Sequence, residues 1–459
     1  MAQSISQEAI GATGLPGATA ASRHAGATTS GAPTTGTFAV GDFIVDQSGA
    51  MYVCTVAGTP GTWQLSGVSV NENIAGKNFV INGGMDIWQR GTSFVTGGNY
   101  NVYTADRWTV GYNTNLTASQ AGIGTFIGTS TATSSTSLTM SSATWSVNAY
   151  VGSIITAGSS TATVVSNTAT VLTVASWTGG TPTTGSFLIA GFAGFNYALR
   201  LQRTSGGTST GGITIMQNVE SNNSIPLAGK TATISFYARA GANFSSASNA
   251  LSVLVDTGSG TDQNRWAAYY AYDQTVLNSS VTLTTSFQKF TFTFSVPSTT
   301  TQICPQFVYM PVGTAGANDY YDITGVQLEI APQATPFSRA GGSIGGELAL
   351  CQRYYYQQGL QSYDVTLGIG SIMSSTSAAF LWNFPVIMRT QPSLSSNNVT
   401  YAFYLKSAAV SLTYASTLGT WNASTSSAQG FFTTTGLTAG QACYVNVGSP
   451  GFVSASAEL

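Results

Sequence analysis

Four aromatic residues crowd into one segment, DQNRWAAYYAYDQ, Asp262 to Gln274. Trp266, Tyr269, Tyr270 and Tyr272 are interleaved there with Asn264, Arg265 and Asp273. Flat rings stack on the apolar face of a sugar, and amides and carboxylates take its hydroxyls. These residue types therefore suit carbohydrate binding. On a strand, Tyr270 and Tyr272 would share one face and Tyr269 the other, so one set would point away from a core. The same pattern also serves as core or as a subunit contact. Trp88 and Trp108 read as core. Asp106 and Arg107, next to Trp108, read as a buried or interface ion pair. Tyr354, Tyr355 and Tyr356 suggest a packed contact between subunits.

Catalytic constellations are sparse. The one histidine, His24, lies in a low-complexity stretch. A nucleophile needs a rigidly placed base, which such a stretch does not offer. No HExxH, GxxxxGK[ST] or GxSxG motif occurs. Glycoside hydrolysis needs two carboxylates flanking a bond. The 16 acidic residues permit that by number. Asp256, Asp262 and Asp273 are close in sequence, but loop acids are ordinary in a β-sandwich. The short periodic coils of a long parallel β-helix are absent. The expectation is a protein without enzymatic activity, with a glycan depolymerase as the contrary reading. Cys54, Cys304, Cys351 and Cys443 show no CxxC spacing and read as buried reduced thiols.

Composition sets the elements that must hold these residues. Only 7% of the 459 residues are charged, against about 25% in ordinary soluble domains. Ser, Thr, Gly and Asn fill those places, which favours strands and tight turns. With a net charge of −2, the chain cannot neutralise many phosphates, so nucleic acid is not an expected partner. No apolar run is long enough to span a bilayer. The opening MAQSISQEAI lacks the charged and apolar regions of a signal peptide. A surface built for an extracellular setting, with neither export signal nor disulfide framework, fits an external virion component. Such a protein is assembled in the host cytoplasm and released by lysis.

The pattern along the chain predicts an all-β, multidomain protein. Residues 1–35 form a low-complexity N-terminal anchor, the contact to other virion proteins. Residues 36–70 form a small β-meander, with turns at Gln47-Ser48-Gly49 and Thr59-Pro60-Gly61. Residues 77–116 and 190–340 form a sandwich. In FQKFTFTFSV, Phe290, Phe292 and Phe294 alternate with polar residues, which is strand periodicity. From Trp108 to Leu199, no charged residue follows Arg107 until Arg200. Within that gap SLTMSSATW partly echoes TVLTVASW, and residues 117–189 read as an inserted, uncharged β-domain. Residues 341–459 form a C-terminal β-domain that opens on a short helix, Glu347 to Gln358. The meander is too small to carry a core alone, which implies a neighbouring subunit.

The segment NFVINGGMDIWQRGTSF, followed by YTADRW, resembles the start of a jelly-roll module of bacteriophage tail fibres and minor structural proteins. TGVQLEIAPQATPF is similar to its closing strand. ELALCQRYY and FPVIMRTQPS are similar to the domain that follows it. The resemblance spans roughly residues 36–393 apart from the insertion. It implies a jelly roll like carbohydrate-binding modules and a homotrimeric appendage that adheres to host cell-surface glycans. A head fibre or capsid decoration protein is the alternative location. No cofactor is required. The resemblance implies a structural calcium, with Asp86 near the first strand and Asp322 in the closing strand as its ligands.

Overall fold

The computed structural model describes residues 24–29, 31–47, 50–66, 74–97, 101–111, 115–145, 147–151, 153–192, 194–266, 270–359, 365–396, 403–406, 413–415, 418–448 and 451–459. The chain is all-β and multidomain. It divides into two compact units, residues 1–72 and residues 73–459.

The first unit is a four-stranded sheet of His24–Gly26, Phe43–Val45, Met51–Val56 and Thr62–Ser66 in chain order. Its first pair is parallel and the others antiparallel. The expected anchor, residues 1–35, therefore ends earlier than its composition suggests. His24–Gly26 is a strand, and the Asp46 carboxylate accepts the Gly31 N–H at 3.0 Å. Ile44 and Cys54 are buried, and Phe38 meets Trp63 edge to face at 4.8 Å.

The second unit is built around two six-stranded antiparallel sheets. The first sheet runs Gln288–Ser295, Thr231–Ala240, Tyr320–Glu329, Tyr197–Arg203, Asn115–Gly122, Ser93–Gly97. The second runs Gln274–Thr282, Ala250–Gly258, Gln302–Tyr309, Ile213–Met216, Thr109–Gly111, Val102–Tyr103. Alternate residues of both sheets meet in one core that includes Trp108, Ile234, Phe236, Val253, Phe307 and Ile323. Phe294 is buried in that core, and Phe290 and Phe292 pack against it half-buried, as period two requires.

The insertion leaves the sandwich between two paired neighbours. Gly122 lies opposite Tyr197 in the ladder, so the two ends of the insertion start side by side. Closing a loop there costs little chain entropy. The expected start at residue 117 is corrected: Asn115–Gly122 belongs to the first sheet, paired on both sides. Within the insertion a seven-stranded antiparallel sheet runs from Ala132–Ser134 at one edge to Phe126–Thr129 at the other. The two echoing segments are neighbours in it, with Leu138 opposite Leu172. Trp145, Tyr150, Val164 and Phe187 fill its core.

The helix after the sandwich is Ile344–Gln352, not residues 347–358. Ser343 caps it by accepting the Gly346 N–H at 3.1 Å. It stops early because Tyr355–Gly359 pairs with Phe452–Ser456, a strand about a hundred residues further on. The helix packs against the sandwich through Cys351, which clusters with Ile81 and Ile87 together with Tyr354 just past the helix end. Beyond it lie a three-stranded and a seven-stranded sheet over a second core that includes Phe380, Trp382 and Val445. Among the described residues no helix is long and apolar enough to cross a membrane, which says nothing of crossing by strands.

Candidate functional site

The outer faces of the two sheets differ. On the first sheet, Arg200, Asp322 and Arg239 stand opposite one another on three adjacent strands. The guanidinium groups of Arg200 and Arg239 donate to backbone carbonyls of Val147, Asn148, Ala149 and Val151, so the insertion sits over that face. The candidate site is therefore sought on the second sheet.

Inward positions of the second sheet are apolar: Leu251, Val253, Val255, Ile303, Phe307, Ile213, Ile215 and Val110 are all buried. The alternate positions face outward, and the ladder registers align them in rows. One row is Ser280, Ser252, Val308, Thr214, Gly111. The next is Asn278, Leu254, Gln306, Met216, Thr109. A third is Thr275, Asp256, Cys304. Ser280, Ser252, Thr214, Asn278 and Thr275 reach solvent along these rows beside Leu254 and Val308, while Thr109, Met216, Gln306, Asp256 and Cys304 are buried beneath the connection that follows.

The aromatic segment connects Ala250–Gly258 to Gln274–Thr282 and folds back over one end of these rows. The Trp266 indole lies where a side chain at 111 would stand: a Cβ on Gly111 would come within 2.2 Å of it. Its Nε1–H donates to Thr109 Oγ1 at 3.1 Å. Tyr270 is 3% exposed, packed with Met216 and Cys304, and its hydroxyl donates to Asn218 Oδ1 at 2.8 Å. Burial pushes the Tyr270 hydroxyl and the Cys304 thiol well above their ordinary ranges, so both stay neutral. Tyr272, by contrast, is 91% exposed.

Arg265 spans two carboxylates, with Nε 3.0 Å from Asp256 and an Nη 3.2 Å from Asp273. Asp256 also accepts from Thr275 Oγ1 at 2.7 Å and from the Gln306 amide. Partial burial raises the Asp273 carboxyl; Arg265 pulls it down and Asp256 adds to the rise. The arrangement fixes polar groups rigidly beside a half-buried indole. It suits recognition of hydroxyl-rich ligands by hydrogen bonding and ring contact.

Of the residues singled out in sequence, Trp266 lies on this face, Asp273 joins it through Arg265, and Tyr272 is exposed on the connection beside them. Tyr270 lies over this face too, but buried against Met216 and Cys304, so it packs rather than presents its ring. The shared strand face fails because residues 270–272 precede the strand, and Tyr272 takes a left-handed backbone with φ 52°. Asn264 is also committed elsewhere. Its Nδ2 donates to Leu459 O at 2.6 Å and its Oδ1 accepts the Trp266 N–H. Tyr269 lies outside the described residues. Sequence reading missed Gln306, Asn278 and Thr109, and read Asp256 as a loop acid where it stands on the strand Ala250–Gly258. The available signal was polar residues such as Ser252, Asp256 and Gln306 recurring at alternate positions of otherwise apolar strands.

Asp86 and Asp322, the expected calcium ligands, both face arginines. Asp86 accepts from Arg339 Nε at 2.9 Å, and Asp322 is held by both Arg200 and Arg239 at 2.8 Å. Calcium needs six to eight oxygens, and here cations already occupy the carboxylates. Among the described residues no group of three or more His, Cys, Asp or Glu side chains is placed to hold a metal ion.

Trp108 is fully buried, as expected. Trp88 is half-buried, packed against the sandwich core. Asp106 and Arg107 are both buried but not paired with each other. Asp106 binds Gln89 and lies 3.8 Å from Arg90, while Arg107 pairs with Glu458. Tyr354 and Tyr355 pack inside the chain, stacked by Arg107 at 3.7 Å and Arg90 at 3.5 Å. The scarce charges thus gather at buried seams, where each needs a partner.

No family model matches the sequence, and no curated protein matches it. Among solved structures the chain is similar to one described as "CBM4 structure and function", at 22% identity over 29% of this chain and 71% of that one, with a TM-score of 0.21. It is similar to the N-terminal cellulose-binding domain of Cellulomonas fimi β-1,4-glucanase C, at 19% identity over 30% and 80%, with a TM-score of 0.21. It is also similar to the enzymatically active domain of tailspike protein 4 of bacteriophage CBA120, at 12% identity over 30% and 16%, with a TM-score of 0.20.

Proposed function

We propose that this chain is a non-enzymatic structural protein of a bacteriophage particle, a fibre or minor tail subunit that adheres to glycans on the host surface. The observation that carries the reading is the outer face of the second sheet. It presents Ser280, Ser252, Thr214 and Asn278 to solvent alongside the half-buried Trp266, with the exposed Tyr272 on the same connection. Polar side chains aligned across strands beside a ring suit a polysaccharide chain running across them.

The absence of catalysis is part of the proposal and has its own support. Asp256, Asp273, Asp262, Asp319, Glu220 and Glu458 each face an arginine. Each of these carboxylates is already engaged by a cation and so serves to hold the fold. The low charge of the chain supports an external, weakly repelled surface. A homotrimer would multiply weak sites into avidity.

A glycan array with the purified chain, run beside a reducing-sugar assay on host envelope polysaccharide, tests this reading. Binding without release of reducing ends is the expected result. Release would turn the search to a carboxylate pair. Silence in both assays would favour a head fibre or capsid decoration subunit without a ligand.

A further inference from the structure

Asp322 sits at the centre of a cross-strand row. Arg200 lies opposite it on one neighbouring strand and Arg239 opposite it on the other. All three are nearly inaccessible to solvent. Arg200 forks onto Asp322 through Nε at 2.8 Å and Nη2 at 2.9 Å, and its third nitrogen donates to the Val147 carbonyl. Arg239 donates Nε to Asp322 at 2.8 Å. Its other nitrogens donate to the carbonyls of Val151 at 2.7 Å, Ala149 at 2.7 Å and Asn148 at 3.1 Å. One carboxylate and four carbonyls, all oxygen ligands of a kind that hard cations favour, therefore converge on two guanidinium groups.

We infer that the Arg200–Arg239 pair does the work of a structural cation at Asp322, and that it clamps the inserted module to the sandwich without a metal. Two fixed positive charges repel an incoming divalent ion at short range. Every nitrogen of both guanidinium groups has an oxygen partner, so the geometry leaves neither arginine reason to move aside. Ring contacts hold them further: Arg200 lies 3.8 Å from the Tyr320 ring centroid and Arg239 4.6 Å from that of Phe287. Asn148 adds a direct bond to Asn318 at 2.9 Å. The module's orientation on the sandwich is thus fixed by backbone carbonyls, which tolerate side-chain change in the turn.

The test uses the full chain in three parts. Thermal unfolding is followed after chelation with EDTA and again in millimolar calcium, and bound calcium is measured after purification. Hydrogen exchange is then compared between the parent and Arg239→Met, reading the amides of Asn148, Val151 and Ser153. The inference expects the same melting temperature with and without calcium and no stoichiometric metal. It expects exchange at those amides roughly tenfold faster or more in Arg239→Met. A melting temperature that falls with EDTA or rises with calcium would overturn it, as would unchanged exchange in the variant. If Arg239→Met does not fold, the metal measurements on the parent chain still decide.

Discussion

Replacing Asp322 by Asn should destabilise the sandwich by about 3–5 kcal/mol, the range for removing one partner from a buried ionic cluster. Two guanidinium groups would be left facing each other with no counter-charge. The loss should be read by denaturant unfolding of the unit formed by residues 73–459. Its pH dependence has a definite sign. Burial alone would raise the Asp322 carboxyl, but Arg200 and Arg239 outweigh it and hold the group below the usual carboxylate range. A depressed carboxyl contributes stability that is full above its unfolded value, near about 4, and is lost as pH falls through the folded value. The gap between parent and variant should therefore stay constant from neutrality to about pH 5 and close only under stronger acid. A gap that closes on going from pH 7 to about pH 5 would contradict the assignment.

Replacing Glu458 by Gln should cost about as much, roughly 3–5 kcal/mol, for the same reason. Arg107 is 2% exposed and pairs with Glu458, which also bonds Arg90 at 3.0 Å. Arg107 sits at φ 73°, a left-handed backbone that a non-glycine residue adopts at some expense. Its guanidinium is further tied to the Asn218 carbonyl at 2.7 Å and stacked on Tyr354. It cannot turn to solvent without breaking both. Arg389 holds the same stretch, donating to Ala457 O at 2.8 Å and Glu458 O at 2.9 Å. The variant should lose exchange protection first along Phe452–Ser456, the strand this stretch extends. Unchanged protection there would show that Glu458 is not what holds the C-terminal sheet to the sandwich.

The all-β architecture is legible because its signals are local. Alternation in FQKFTFTFSV places Phe294 in the core, and turn residues mark the hairpins. The insertion shows as a gap in charge, but its edge does not. Asn115–Gly122 has the same Thr, Ser and Ala composition as the module it precedes, so only its pairing with Tyr197–Arg203 assigns it. The helix boundary fails for a related reason: Tyr355 is drawn into a strand by residues 452–456. At the site, Trp266 is legible as an aromatic among polar neighbours. Tyr270 is not, since the left-handed turn at Tyr272 breaks the alternation that would place it. Asp322 reads as a metal ligand until Arg200 and Arg239 are found opposite it, 122 and 83 residues away.

The central claim is that the outer face of the second sheet binds glycan without cleaving it. Calorimetry with the best glycan from an array should be run on the parent, Trp266→Ala and Tyr272→Ala. The account predicts that affinity falls at least about tenfold in the Trp266 variant, a loss of about 1.4 kcal/mol. It predicts a smaller fall for Tyr272→Ala, with both variants folded by circular dichroism and no new reducing ends in any sample. Undiminished binding by a folded Trp266→Ala variant, or release of reducing ends by the parent, would contradict it.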